Sequence, residues 1–426
     1  MAKKKAPKKK KNKDNKELFW VVRMRIYPTD VQIQRLETWL ESLRWLYNRS
    51  LRERKDAYSQ NKRTITFKEQ KSALPALKKE CPDLKSVPSP AVQGCVKRLQ
   101  TAFDNFFRRV KERKEGSRVK VGYPRFKKYG SYCSLSYPQA WMKQTDKEAG
   151  KVENKEIIKL CIPKDVSMDV SDKDFKAFWG SISFPKLGDV NIRVHRPIDW
   201  KKAKSVTIKK MPNGDWYACA RMQITPVQPE KGKKKIVGID LGLKELVTTS
   251  EGEYFPHPRC LKKSEEKLKC VQRKLSRHEK GSNNWEKQRQ KVAKLHTKIK
   301  NQRMDFLHKL SFQLVKNYTH IVFEKLNILN MVKCKNFAKS ILDAGWGKLV
   351  ELTTYKSVMR GGSTIQVDPK YTTQDCSRCG ERVPKALSER IHNCPKCGLK
   401  ICRDVNAANN ILHRAGMGQS PGRSSA

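Results

Sequence analysis

Three acidic residues stand where a folded chain could gather them. Lys235-Ile-Val-Gly-Ile-Asp240 is an apolar run that delivers a carboxylate at its end, and Thr319-His-Ile-Val-Phe-Glu324 repeats the arrangement. Cys402-Arg-Asp-Val-Asn-Ala-Ala-Asn-Asn-Ile411 opens a helix with Asp404 at its start. Singly, each acid reads as a turn or cap residue. Together, three carboxylates so far apart in sequence converge only in a core, where they repel one another unless a divalent cation neutralises them. Hard oxygen donors of this kind suit Mg²⁺ or Mn²⁺. Two such ions would clamp the attacking and leaving oxygens of a phosphodiester. No His or Ser constellation points to a covalent intermediate.

A second set of residues is suited to a different ion. Cys376-Ser-Arg-Cys379-Gly and Cys394-Pro-Lys-Cys397-Gly are two C-x-x-C knuckles, each followed by a glycine that permits a tight turn. Four thiolates make a closed tetrahedral site for one structural Zn²⁺, with no open position for chemistry. His392 and Cys402 lie close enough in sequence to be alternative ligands, but they break the symmetry of the knuckles. A redox role is a poor fit, because neither knuckle begins a helix after a βαβ pattern. Of the 13 cysteines, those before Cys376 are scattered singly, which suits a reducing compartment.

The elements that must position these residues can be read from the pattern. Ile236–Ile239 is a strand, Leu241-Gly-Leu turns the chain, and Leu246-Val-Thr-Thr continues a meander with a turn at Glu251-Gly252. Lys262 to Asn317 has two apolar stripes divided by Gly281-Ser-Asn-Asn, a helical hairpin. Upstream, Phe19–Tyr27 is a strand, and helices follow over 31–59, 67–79 and 91–113. Short strands at 157–162, 181–184, 190–194, 205–208 and 216–222, with an Asn-Gly hairpin turn at 213–214, suggest a small barrel. Thr225–Lys235 reads as a linker, Lys335–Ala338 as a mobile segment, and the helix of Trp346 as core.

Composition bounds the partner. The formal charge is +51, from 93 Lys and Arg against 42 Asp and Glu, while 37% hydrophobic residues leave enough for a packed core. Such a polycation calls for a polyanion, and nucleic acid leads because phosphate neutralisation releases counterions. No apolar run approaches a membrane span, and the lysine-rich start has no apolar core of a signal peptide. Gly116–Tyr129 sets Arg125 and Lys127 beside Tyr123 and Phe126, a pairing that suits a groove tracking a nucleic-acid backbone.

The acidic segments, with Ser340-Ile-Leu-Asp-Ala-Gly-Trp-Gly347, Asp368-Pro-Lys-Tyr-Thr-Thr-Gln-Asp-Cys376 and Val121-Gly-Tyr-Pro-Arg-Phe-Lys-Lys128, resemble segments of the transposon-encoded TnpB proteins, where the acids fall in RuvC nuclease motifs. That family is related to compact type V CRISPR effectors and to Fanzor proteins. The resemblance runs from about Phe19 to Leu412. It implies an α/β and α+β multidomain fold. One part is a ribonuclease H-like RuvC nuclease domain with an inserted zinc finger; the other is a small wedge β-barrel with an inserted helical recognition lobe. The boundaries it suggests are a disordered basic arm at 1–17, wedge at 18–30 and 115–228, and recognition lobe at 31–114. RuvC follows at 229–371 with its hairpin at 262–317, the zinc finger at 372–400, the last RuvC segment at 401–413 and a disordered tail at 414–426.

The function implied is RNA-guided, metal-dependent hydrolysis of DNA beside a short motif that the protein reads. Asp240, Glu324 and Asp404 would hold two Mg²⁺ (or Mn²⁺), with Asp240 bridging, and Arg403 would steady the scissile phosphate. Gln93 falls where the family has a motif-reading glutamine. The implied partners are a guide RNA and a double-stranded target DNA with one strand displaced, engaged by a monomer. The expected location is the cytoplasm and nucleoid of a prokaryote. In a eukaryotic or viral host it is the nucleus, where Pro7-Lys-Lys-Lys-Lys11 could serve as an import address. Two other classes stand beside this reading: a cleavage-deficient RNA-guided repressor, and an RNA-independent nuclease or transposase accessory protein.

Overall fold

The computed structural model describes residues 19–117, 119–137, 158–161, 176–198, 202–224, 235–333, 336–386 and 388–416. The expected basic arm and its import address, most of the linker and nearly all of the tail lie outside them. The chain divides into two compact units, Met1–Gln223 and Ile224–Ala426.

In the first unit, β1 (Phe19–Tyr27) buries Val22, Met24 and Ile26 on one face while Arg23 and Arg25 point outward. Thr29 then starts α1 (Asp30–Asn61) with a capping box closed by Gln32. A second capping box, Thr66 with Glu69, opens α2 (Phe67–Glu80). The short α3 (Pro82–Ser86) and the long α4 (Ser89–Lys114) both begin with proline in the first turn. Leu36, Leu40 and Leu43 of α1 join Val92, Val96, Leu99 and Phe103 of α4 in one core. The remaining strands are β2 (Ser134–Tyr137), β3 (Lys159–Cys161), β4 (Phe178–Phe184), β5 (Gly188–Val194), β6 (Ala203–Lys210) and β7 (Trp216–Gln223). They form a seven-stranded antiparallel sheet in the order β2-β6-β7-β1-β5-β4-β3. Among the described residues no ladder joins β2 to β3, the two ends of that order.

The second unit is built on a five-stranded sheet. Its strands are β8 (Ile236–Asp240), β9 (Glu245–Thr249), β10 (Tyr254–Pro256), β11 (His320–Glu324) and β12 (Ser363–Val367), in the order β10-β9-β8-β11-β12. The first three run antiparallel, whereas β8, β11 and β12 are parallel. Parallel pairing demands long crossovers. The crossover into β11 carries α5 (Cys260–Ser276) and α6 (Asn283–Asn317), which turn at Gly281 and have Ser282 as the cap of α6. The crossover into β12 carries α7 (Ile328–Met331), α8 (Ala338–Ala344) and α9 (Trp346–Met359). Leu307, Leu310 and Leu314 of α6 and Leu349 and Leu352 of α9 pack with Val237, Ile239, Ile321 and Phe323 of the sheet. A two-stranded ribbon, β13 (Ile391–Asn393) and β14 (Lys400–Cys402), leads into α10 (Arg403–Arg414).

Candidate metal centres

Register alone brings the first two acids together. On adjacent parallel strands Phe323 pairs with Ile239, so the next residues, Glu324 and Asp240, emerge side by side at the carboxyl ends. The third acid arrives on a helix that lies directly on β8. Gly238 makes that approach possible: a Cβ there would sit 2.0 Å from the Ala408 carbonyl oxygen and 3.0 Å from both N and Cβ of Leu412. With Ala407, Ala408 and Ile411 fully buried, α10 places Asp404, in its first turn, at the same end of the sheet.

The electrostatics report the convergence. Burial, and then the charges of Glu324 and Asp404, hold the Asp240 carboxyl well above the ordinary carboxylate range; Arg403 and the Leu241 N–H pull the other way. Burial also raises Glu324, while the Thr372 hydroxyl and then Arg414 lower it. Thr372 Oγ1 lies 2.6 Å from Glu324 Oε1. Asp404 is held by its neighbour Arg403 at 3.2 Å and by Arg390 at 3.8 Å. The three carboxylates are nevertheless spread more widely than the ligands of a single ion. Among the described residues, Cys376, Cys379, Cys394 and Cys397 are the only His, Cys, Asp or Glu set of three or more whose ligand atoms all fall within 4.8 Å.

That cysteine set has the shape expected of the knuckles. Cys376 and Cys397 sulfurs are 3.6 Å apart, as are those of Cys379 and Cys394. A tetrahedral ion with bonds of about 2.3 Å sets sulfurs roughly 3.8 Å apart. Gly380 and Gly398 turn at φ 76° and 70°, each donating its N–H back to the first cysteine of its knuckle. In the second knuckle burial raises the Cys394 thiol, but the N–H groups of Cys397 and Lys396 and the thiols of Cys379 and Cys397 together draw it down to about 7. His392 and Cys402 are not members of the set. His392 is fully buried, with Nδ1 against Lys385 Nζ.

One polar stripe of α10 ties the two centres together. Asn406 donates to the Asp375 carbonyl at 2.8 Å and accepts from the Ser377 N–H at 2.9 Å. Asn410 donates to the carbonyls of Thr372 and Asp375, and Arg414 reaches the Asp368 carbonyl and the Asp375 carboxylate. The segment from β12 to the first knuckle is thus fastened to the helix that carries Asp404. Within it Tyr371 takes the left-handed conformation, φ 59°, immediately before the threonine that contacts Glu324.

Residues 219–335 match the OrfB_IS605 family, described as a probable transposase, and 346–411 match the Cas12f1-like TNB domain. Residues 21–63, which fold here as β1 and α1, match a family described as a helix-turn-helix domain. The chain is 30% identical over 387 residues to a protein named as an RNA-guided DNA endonuclease, InsQ of Escherichia coli (strain K12), spanning 87% of this chain and 85% of that one. It is 31% identical over 398 residues to one of the same description from Streptomyces pristinaespiralis, spanning 91% and 87%.

The chain belongs to the TnpB family.

A further member, TnpB-like protein L770 of Acanthamoeba polyphaga mimivirus, is 24% identical across 95% of this chain and 75% of its own length. Among solved structures, the mini-RNA-guided endonuclease CRISPR-Cas_phi3 aligns with a TM-score of 0.49 at 9% identity, over 96% of this chain and 94% of that one. As a TnpB-family protein, the chain is an RNA-guided DNA endonuclease of IS605 transposon origin. No helix among the described residues is long and apolar enough to cross a membrane.

The other residues singled out in this TnpB-family sequence lie in the first unit. Gln93 is exposed on α4, and Arg125 is exposed in the loop after it. Lys127 is half-buried, its backbone fastened to Asn48 through both N–H and carbonyl. Tyr123 packs edge-on against Phe103 and Phe106 while remaining 41% exposed. Sequence reasoning did not single out Thr372, Arg414 or Gly238. The spacing of Asn406, Asn410 and Arg414, four residues apart on one helix, was the available signal for the α10 stripe.

Proposed function

We propose that this protein hydrolyses target DNA at the cluster of Asp240, Glu324 and Asp404, which would hold divalent cations, Mg²⁺ or Mn²⁺. The observation that carries this reading is the parallel register that sets Glu324 beside Asp240 at the strand ends, where burial and then the charges of Glu324 and Asp404 raise the Asp240 carboxyl. Such a set of hard donors favours a cation, and its spread suits two ions rather than one. When bound, the ions would supply an activated water and charge neutralisation at the departing oxygen. The chain's own residues would do the rest. Thr372 and Arg414 offset part of the rise that burial imposes on Glu324, Arg390 and Arg403 would orient Asp404, and Arg403 would steady the scissile phosphate.

The strand order β10-β9-β8-β11-β12, an antiparallel meander followed by parallel strands, supports a ribonuclease H-like RuvC domain at 229–371 completed by 401–413. The four cysteines support one structural zinc in 372–400. The helical lobe at 31–114, inserted between β1 and the other strands of its sheet, supports the wedge and recognition-lobe division. A guide RNA and a target duplex with one strand displaced are the partners that fit, with the protein acting as a monomer in the compartment that holds that DNA. Gln93, exposed on α4, would read the adjacent motif, and Tyr123, Arg125 and Lys127 would follow a backbone. The test is to express the protein with its genomic flanks, sequence the RNA that co-purifies, and assay plasmids bearing the guide-matched target with and without Mg²⁺. Cleavage of the matched plasmid only, and only with the metal, is expected. Metal-independent cutting would overturn the proposal.

A further inference from the structure

In the first unit, the end of α1, the start of α2 and the middle of α4 enclose a cleft of about 670 Å³. Its wall is aromatic: Tyr58, Phe67, Phe103, Phe106, Phe107 and Tyr123. Tyr58 and Phe107, two of these rings, each leave 57% of their surface exposed. The charged residues in the lining are Arg54, Arg63 and Lys68, with no carboxylate among them.

Arg54 is the second, independent observation. It is 7% exposed, Nε donates to Gln70 Oε1 at 2.8 Å, and Nη1 donates to Gln100 Oε1 at 2.9 Å. Both amides are fixed with their oxygens toward the guanidinium. Gln70 Nε2 donates to the Ser50 carbonyl and Glu53, and Gln100 Nε2 donates to Asp104. Nη2 is buried and has no hydrogen-bond partner among the described residues. Leaving a buried charged donor open is costly, so the group calls for an acceptor from water or from a ligand. The Phe103 ring lies 5.0 Å from this guanidinium, so a ligand reaches Nη2 by shifting aromatic side chains.

An apolar peptide would bring Arg54 a backbone carbonyl but no negative charge for Arg63 and Lys68, and a lone phosphate would leave the rings unused. A flat heterocycle with acceptor edges, carried on a polyanion, uses every part of the lining. We propose that the cleft binds one unpaired nucleobase of a single-stranded nucleic acid. Its face stacks on the aromatic wall, an acceptor on its edge takes Arg54 Nη2, and the flanking phosphates meet Arg63 and Lys68. The inference rests on the nucleic-acid partner of the proposed function but not on the acidic centre, so loss of cleavage leaves it untouched.

The test uses the full-length protein without added magnesium. The probes are single strands of about a dozen residues, abasic throughout except for one central base, made in RNA and DNA forms. The base-bearing probe is expected to bind about five- to a hundred-fold more tightly than the fully abasic strand. Phe107→Ala, at a ring that is 57% exposed, should erase that advantage while its circular-dichroism melt stays that of the wild type. A central difluorotoluene, a thymine isostere without acceptors, should bind more weakly than thymine to the wild type and equally to Arg54→Met. A central 5-iodouracil should cross-link to the peptide carrying Phe106 and Phe107. Tighter binding of the RNA form assigns the base to the guide, and of the DNA form to the displaced strand. Equal binding of base-bearing and abasic strands, an unaffected Phe107→Ala, or cross-links confined to other peptides would overturn the proposal. No preference for thymine over its isostere in the wild type would overturn the Arg54 contact.

Discussion

Gly238→Ala tests how the third acid is brought to the other two. The added Cβ would stand 2.0 Å from the Ala408 carbonyl oxygen, where ordinary contact begins at 3.4 Å, so α10 must withdraw by about 3.4 − 2.0 = 1.4 Å. The neighbouring atoms are helix backbone and the Leu412 Cβ, not the far end of a flexible side chain, and so they cannot simply swing away. Overpacking of this kind costs about 1–3 kcal/mol of stability. The effect on chemistry is larger, because Asp404 moves with its helix, and a displacement of about 1 Å at a reacting centre can cost about 100-fold in rate. The assay is single-turnover plasmid cleavage by the guide-loaded protein, with target binding measured in parallel. Gly347→Ala serves as the matched control: its Cβ would meet only the Ile328 Cδ1 methyl at 3.2 Å. Cleavage is expected to fall about 100-fold in Gly238→Ala with binding near wild type, and to stay within a few-fold in Gly347→Ala. Equal cleavage rates in the two variants would refute the seating of α10 on β8.

Three further outcomes follow from the same geometry. Thr372→Val removes the hydroxyl that holds Glu324 down, so the acid limb of the cleavage profile should move to higher pH and metal affinity should fall about 10- to 100-fold; an unmoved limb counts against the contact. Because the folded Asp240 pKa lies above its unfolded value, the folded chain keeps a proton that the unfolded chain gives up, and metal-free stability falls as pH rises from about 4 through the elevated pKa. Asp240→Asn should therefore raise the metal-free Tm most near neutral pH, with the gain shrinking toward about pH 4; a gain that grows in acid contradicts the repulsion. Cys394→Ser opens a site whose metal contributes about 10–16 kcal/mol in isolated fingers, so one equivalent of zinc should vanish and limited proteolysis should cut first between 376 and 402. An intact zinc content would remove that cysteine from the ligand set.

The acids were legible in the sequence because apolar runs that end abruptly on a carboxylate are readable as β8 and β11, and the matching register does the rest. The knuckles were legible because thiolate spacing and the following glycines are local features. How α10 docks was not. Gly238 sits inside an apolar run and reads as an ordinary strand residue; only the Ala408 carbonyl lying over it gives the glycine its meaning. Strand β12 was missed because Ser363-Thr-Ile-Gln-Val is half polar, as suits an edge strand, and its contribution comes through the Asp368–Cys376 segment that follows. The helices α3, α7 and α8 span only 5, 4 and 7 residues, too few to display a 3.6-residue period. Tyr123 was read as a stacking surface, and the structure sets it in the aromatic wall of a cleft whose other members come from distant helices.

The most direct measurement compares Asp240→Ala with wild type, each loaded with the same guide and offered the same labelled target in Mg²⁺. Target binding within about two-fold of wild type, with cleavage reduced by a factor of about 1,000 or more, is what a metal centre built on Asp240 predicts. Cutting at an undiminished rate would show that the convergence of these three acids is not where the phosphodiester is broken.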